Sequence, residues 1–322
     1  MRLITLLPTT LAAALLIGAC RPSLPPMPEG HDILLYAVEQ GTGLLPSLDC
    51  HWFFLTADSD SRSEAHRADW DTLGFIHEWS PDGHWIAADE PEGSGLLLIN
   101  ASTGMVQSRL EAPGFHDITW SPDSRRLAYT TSDKQIAWVD VSCLQRGEEC
   151  QPQATTLHPG EQPAWSPDGA SIAFAWDAGL NHPIHNRIFT MKADGSGQRT
   201  DITSSIEGCS HPSWSPDASR IAFDCNWDIY ISEQDGRDPT NLTFGGGEDG
   251  WPVDELPTWS SKGDRILFLS DREPGGQLFS TCLSDTRENA LYSMAPDGSD
   301  IRQVTALGAF DIASYTWIIS AP

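Results

Sequence analysis

Eight polar residues stand where chemistry is conceivable: His77, His116, Asp117, Glu161, Gln162, His211, Glu255 and Asp311. All but Asp311 fall within four residues before one of five tryptophans, Trp79, Trp120, Trp165, Trp214 and Trp259. Imidazole and carboxylate suit divalent cations, and their oxygens and nitrogens also suit an oxygen-rich ligand. His116 and His211 with Glu161 or Glu255 are the set from which a divalent cation would draw its ligands; no other cofactor is implied. A hydrated ring of polar groups that needs no ligand fits the same residues, so metal use stays open on the sequence.

Other chemistry is excluded by motif. The chain has no Gly-x-Ser-x-Gly elbow, no His-Glu-x-x-His, no P-loop and no dinucleotide fingerprint. Asp58-Ser-Asp60-Ser-Arg62 opens like a calcium loop, but Arg62 occupies a ligand position and the turn glycine is missing, so it reads as a solvated acidic loop. With 45 acidic against 19 basic residues the formal charge is −26, which excludes nucleic-acid binding through a basic face. The same charge favours a cationic partner surface or cations.

The elements that must position these residues are legible as a repeat. Trp79-Ser-Pro-Asp-Gly83, Trp120-Ser-Pro-Asp-Ser124, Trp165-Ser-Pro-Asp-Gly169, Trp214-Ser-Pro-Asp-Ala218 and Trp259-Ser-Ser-Lys-Gly263 each lead into an apolar strand such as Ile172-Ala-Phe174 or Ile221-Ala-Phe223. The tryptophans are 41, 45, 49 and 45 residues apart, the period of a four-stranded propeller blade. In each turn proline presets φ, aspartate bonds back to the backbone and glycine takes φ > 0. The tryptophans are expected as apolar plates between blades. A second turn follows in Asp194-Gly195, Asp235-Gly236 and Asp297-Gly298. Composition agrees: 27 Gly, 23 Pro and 13 Trp among 322 residues suit tight turns and wide strands rather than long helices.

Five motifs do not close a ring, so a sixth blade is expected from both ends, with Ile33-Leu-Leu-Tyr36 as a second strand and Tyr315-Thr-Trp317 as a first. The fold expectation is therefore all-β, a six-bladed β-propeller over residues 31–322 with terminal-strand closure. In it the segments before each Trp converge at the channel mouth opposite the Ser-Pro-Asp turns. The insertions Ala37 to Asp49, Ala175 to Asn186 and Asp271 to Ala290 are expected on that same end, where a rigid scaffold presents a binding surface.

Residues 1–19 read as a signal peptide: Arg2, an apolar run from Leu3 to Ile17, then small residues. Leu16-Ile-Gly-Ala-Cys20 resembles the bacterial lipobox, which implies acylation of Cys20 and anchoring in a lipid bilayer. Residues 20–30, with Pro22, Pro25, Pro26 and Pro28, form a tether. Arg21 in place of Asp implies, by resemblance to Gram-negative lipoproteins, the periplasmic face of the outer membrane. Six further cysteines suit disulfides in an exported chain. Cys143 and Cys150 bracket one loop. Setting Trp214 opposite Ile221 brings Cys209 and Cys225 within one register step, which leaves Cys50 and Cys282 as the third pair.

The repeated Trp-Ser-Pro-Asp-Gly turn, apolar strand and Asp-Gly turn resemble the TolB-type propeller repeat, the WD40-like PD40 repeat. The resemblance implies a non-enzymatic role in the cell envelope, as a binding or scaffold propeller for a protein or glycan partner. The alternative is a metal-dependent carbohydrate-active enzyme at the channel mouth, since propeller lyases of pectic oligosaccharides use channel His and Gln residues with a metal.

Overall fold

The structure, a computed structural model, describes residues 33–40, 48–55, 68–69, 76–90, 95–111, 115–150, 153–177, 185–244, 252–272, 290–304 and 311–317. For 33–40, 48–55, 68–69, 76–77, 89, 116 and 311–317 it describes the backbone alone. Signal peptide, Cys20, tether, the Asp58–Arg62 loop and Cys282 lie outside the described residues.

The chain opens with β1 (Ile33–Gln40), β2 (Leu48–Leu55) and β3 (Ala68–Asp69). Blade 1 follows as β4 (Ile76–Trp79), β5 (Trp85–Asp89), β6 (Gly95–Asn100) and β7 (Val106–Glu111). Blade 2 holds β8 (His116–Trp120), β9 (Arg126–Thr130), β10 (Gln135–Asp140) and β11 (Thr155–Pro159). Blade 3 holds β12 (Glu161–Trp165), β13 (Ser171–Trp176), β14 (Arg187–Lys192) and β15 (Thr200–Asp201). Blade 4 holds β16 (Cys209–Trp214), β17 (Arg220–Cys225), β18 (Asp228–Glu233) and β19 (Thr240–Asn241). Blade 5 holds β20 (Asp254–Trp259), β21 (Ile266–Ser270), β22 (Ala290–Met294) and β23 (Arg302–Gln303), and β24 (Asp311–Trp317) ends the chain.

The expectation of six blades is corrected to five. Five sheets are each a meander of four consecutive antiparallel strands hung on a Trp-Ser turn. The terminal strands make a sheet of another kind, in the order β24-β1-β2-β3. There β24 and β1 come from opposite ends of the chain, with Ile33 opposite Trp317 and Val38 opposite Asp311, so no turn motif joins them. Five motifs do not close a ring, which is why a sixth blade was expected from these end strands, but their sheet lacks the turn that makes a repeat unit. The expected Ala37 to Asp49 insertion is also shorter, because β1 runs on to Gln40 and β2 begins at Leu48.

The turns form as their residues dictate. In the first, Ser80 Oγ donates to Asp82 Oδ1 at 2.6 Å and accepts from the Trp85 amide at 2.9 Å. The same pair of bonds recurs at Ser121, Ser166 and Ser215. In the degenerate fifth turn Lys262 replaces the aspartate, and Ser260 bonds Asp264 at 2.8 Å instead. The last turn residue is left-handed in all five, with φ of 70, 55, 72, 59 and 72° at Gly83, Ser124, Gly169, Ala218 and Gly263.

The five motif tryptophans are buried, and each from Trp120 onward packs against the blade before it. Trp120 clusters with Leu96 and Leu98, Trp165 with Ala128 and Ile136, Trp214 with Ala173 and Ile188, and Trp259 with Ala222 and Ile229. The tryptophans are core, as expected. Two of the three expected disulfides are present. Cys143–Cys150 closes a loop with Cα atoms 5.5 Å apart. Cys209–Cys225 joins directly opposed residues of β16 and β17, with Cα atoms 4.1 Å apart. Cys50 lies within β2 opposite Val38, and its pairing with Cys282 falls outside the described residues.

Candidate functional site

Every described inner strand carries one extra residue. The register of β8 jumps between His116 and Thr119, that of β12 between Glu161 and Ala164, that of β16 between Ser210 and Ser213, and that of β20 between Glu255 and Thr258. In β4 the jump lies between Ile76 and Glu78. Such a bulge bends the strand and re-aims a side chain. In blades 2 to 5 the residue three before the tryptophan is left-handed: Asp117 (φ 48°), Gln162 (56°), His211 (50°) and Leu256 (57°). Proline follows three of the four, at Pro163, Pro212 and Pro257, where the interrupted ladder asks for no amide donor.

These bulges line one cavity of about 350 Å³, formed by residues 117–119, 162–165, 211–213 and 256–258 together with Glu78. It lies at the strand starts, opposite the Trp-Ser turns. Bonds between blades hold its wall. Thr130 Oγ1 donates to Asp117 Oδ2 at 3.1 Å and accepts the Gln162 amide at 3.0 Å. Gln162 Oε1 accepts the His211 amide at 3.0 Å, and its Nε2 lies 2.9 Å from His211 Nε2. His211 Nδ1 is 2.7 Å from Asp224 Oδ2, which also accepts the Leu256 amide at 3.1 Å.

This chain fixes the histidine. In the neutral ring Nδ1–H donates to Asp224 and Nε2 accepts from the Gln162 amide, so both nitrogens are engaged. Burial works to lower the His211 pKa, but the charge and hydrogen bond of Asp224, with the charges of Asp117 and Glu255, outweigh it and raise the pKa above the ordinary value. The acids thus favour the imidazolium, while the Gln162 fork favours the neutral ring. On the opposite wall, burial pushes the Glu78 carboxyl up to about 7, against hydrogen bonds from the Trp120 amide and the Thr119 side chain. Glu78 Oε2 accepts that amide at 2.8 Å.

Of the eight expected residues, the structure brings Asp117, Gln162 and His211 together. Glu161 pairs instead with Lys134 at 3.1 Å and does not line the cavity. Glu255 is not part of the lining either, although its charge reaches His211. His77, His116 and Asp311 sit in β4, at the start of β8 and at the start of β24, and their side chains lie outside the description. Among the described residues no group of three or more His, Cys, Asp or Glu side chains is gathered to hold a metal ion. Glu78, Leu256, Thr130 and Asp224 were missed. Leu256 was findable by its place three before Trp259, as was the bulge by its Pro.

Residues 116–299 match the family model of the TolB beta propeller domain, PD40. The chain belongs to this family. TolB from Acinetobacter baumannii superposes with a TM-score of 0.64 at 17% identity, covering 89% of this chain and 66% of that one. A chain of the nidogen/laminin complex gives 0.62 at 11% identity, covering 89% and 98%. Oligogalacturonate lyase from Vibrio parahaemolyticus gives 0.50 at 14% identity, covering 85% and 73%. At these identities the likenesses concern the fold. No curated protein matches the chain. Within the TolB propeller family, the two disulfides point to export into an oxidising compartment.

Proposed function

We propose that the protein is a non-enzymatic binding propeller of the cell envelope, anchored through acylated Cys20 and the tether of residues 20–30, and that it presents its cavity end to a partner protein. In a Gram-negative cell the anchor would hold it at the periplasmic face of the outer membrane. One observation carries this reading. The polar lining residues Gln162 and His211 are tied to each other across blades and held from behind, the Gln162 amide by Thr130 Oγ1 and the His211 ring by Asp224, which makes a pre-organised surface. A metal-assisted carbohydrate enzyme would need His211 to give up its Gln162 contact before a ring nitrogen could bind an ion.

The test is photo-crosslinking in the native envelope. A crosslinking residue at exposed Glu207, just before β16 at the cavity end, is compared with one at exposed Asp297 in a turn at the other end. A discrete protein adduct from position 207 alone is the expected result. Equal adducts from both positions, or none from 207, would overturn the proposal. Metal analysis of the purified protein runs beside it: a stoichiometric divalent ion that disappears in both His116→Ala and His211→Ala would move the cavity to the carbohydrate-enzyme reading.

A further inference from the structure

The turn between β17 and β18 is unusual. Asn226 and Trp227 are both left-handed, with φ of 50 and 72°, the pattern of a two-residue hairpin turn in which Asn-Gly is the favoured pair. Here an indole occupies the glycine position and is 54% exposed. A bulky residue seldom adopts this backbone, and an outlier of this kind is a reason to look for function. The turn is also rigid. The Cys209–Cys225 bond staples its base, Asn226 Nδ2 donates to the Glu207 carbonyl at 3.0 Å, and the Trp227 carbonyl accepts the Asp254 amide at 2.9 Å. Glu207 and Asp254 lead into the strands that bring His211 and Leu256 to the cavity. Trp227 therefore stands at the rim.

The cavity itself has a definite chemistry. Its charged lining residues besides His211 are Glu78 and Asp117, and neither Lys nor Arg lines it. When the His211 ring is protonated, Asp224 at 2.7 Å balances most of its charge, so Asp117, with Glu78 as it ionises, leaves the cavity net negative. Prolines, Leu256 and Trp165 supply apolar wall. At about 350 Å³ the space is near the lower end of ligand pockets, sized for a side chain rather than a large molecule.

Resting on the binding reading above, we propose that this cavity receives a single basic side chain, arginine or lysine, from the partner protein, with its stem along the apolar wall, its charge at Asp117 and Glu78, and the partner's adjoining backbone against Trp227. Long basic side chains bury their methylenes and keep the charged head on polar groups, and a nearby indole face adds attraction for a cation.

The experiment uses the folded, disulfide-intact protein at physiological salt and a peptide with one arginine among alanines and serines. Its citrulline counterpart is the neutral control. Calorimetry or ligand-observed NMR should show the arginine peptide binding and the citrulline peptide weakened by about tenfold or more, the scale of one charge-assisted contact. Asp117→Asn should weaken the arginine peptide by a similar factor, and Asp297→Asn at the far end should leave it unchanged. Trp227→Gly is the sharpest variant: it should melt at a higher temperature, because glycine accepts that φ, and yet bind several-fold more weakly. Absence of arginine-peptide binding, equal binding of citrulline, equal loss in Asp297→Asn, or unchanged binding in Trp227→Gly would each overturn the proposal. A neutral glycan that binds in place of the peptide would overturn it in favour of a carbohydrate ligand. If position 207 still crosslinks a partner while citrulline binds equally, the binding reading stands and the cationic one falls; if position 207 crosslinks nothing, the binding reading falls first.

Discussion

The two ends of the propeller solve the same problem, satisfying backbone and side chains where strands stop, by different means. At the Trp-Ser end most of each turn's bonds are its own: Ser166 bonds Asp168 two residues on and the Ser171 amide five residues on, while the Asp82 amide also reaches Ser124 Oγ of the next turn at 3.1 Å. At the cavity end the partners are far apart in sequence: Gln162 meets His211 49 residues away, and Asp224 meets Leu256 32 residues away. One end can form before the ring does. The other exists only once neighbouring blades are docked, so its geometry reports on the assembly as a whole.

The largest expected effect comes from cutting the cavity network at its branch point. Asp224→Ala removes the acceptor of both His211 Nδ1–H and the Leu256 amide. Losing the acceptor contact of two donors in a half-buried wall costs about 1–3 kcal/mol each, so the loss should be roughly 3 kcal/mol in urea unfolding. Asp224→Asn, which keeps one acceptor, should lose less. A loss from Asp224→Ala no greater than that of a single turn serine would end the contrast between the two ends.

That contrast also explains what the sequence allowed to be read. Turns, strands and tryptophan plates were legible because proline, aspartate and glycine act on their own backbone within five residues. The Cys209–Cys225 pair was legible because hairpin register follows from one turn. The cavity was half legible. Polarity before each Trp pointed to the correct end, yet the bulge decides which of two adjacent residues faces inward. Gln162 lines the cavity and Glu161 turns away to Lys134, since a one-residue shift reverses the face of a strand. The proline after Gln162, His211 and Leu256 was the available signal for that bulge. Asp224 offered none, because its role depends on a neighbouring blade. The count of blades failed for a related reason: pairing of the two ends is visible in apolar strands, but the turn motif that makes a repeat unit is absent there.

An intermediate effect is expected from Glu78→Gln, read as a pH dependence. Glu78 has its pKa raised from 4.5 to about 7 by burial. The folded state therefore binds the proton more tightly than the unfolded chain. This stabilisation is fully present below the ordinary carboxylate range and is lost as pH rises through about 7. Between about pH 5 and pH 8 the wild type should lose about 2 kcal/mol relative to Glu78→Gln, which stays neutral and keeps an acceptor for the Trp120 amide. Parallel stability curves for the two proteins would show that the cavity wall does not hold this carboxyl out of water.

The smallest effect tests the local end. Ser166→Ala removes one acceptor from the Ser171 amide and one donor from Asp168, but Asp168 keeps the Ala170 amide at 2.9 Å. The cost should be about 1 kcal/mol. Ser260→Ala probes the turn whose motif is degenerate, where Asp264 replaces the missing aspartate and the Arg265 amide still reaches Ser260 Oγ at 3.0 Å. If turns act locally, the two losses should agree to within about 0.5 kcal/mol and should add in the double variant, because the bonds of Ser166 and Ser260 stay within their own turns. Coupling between them would mean that the turn end, like the cavity end, is held together through the ring.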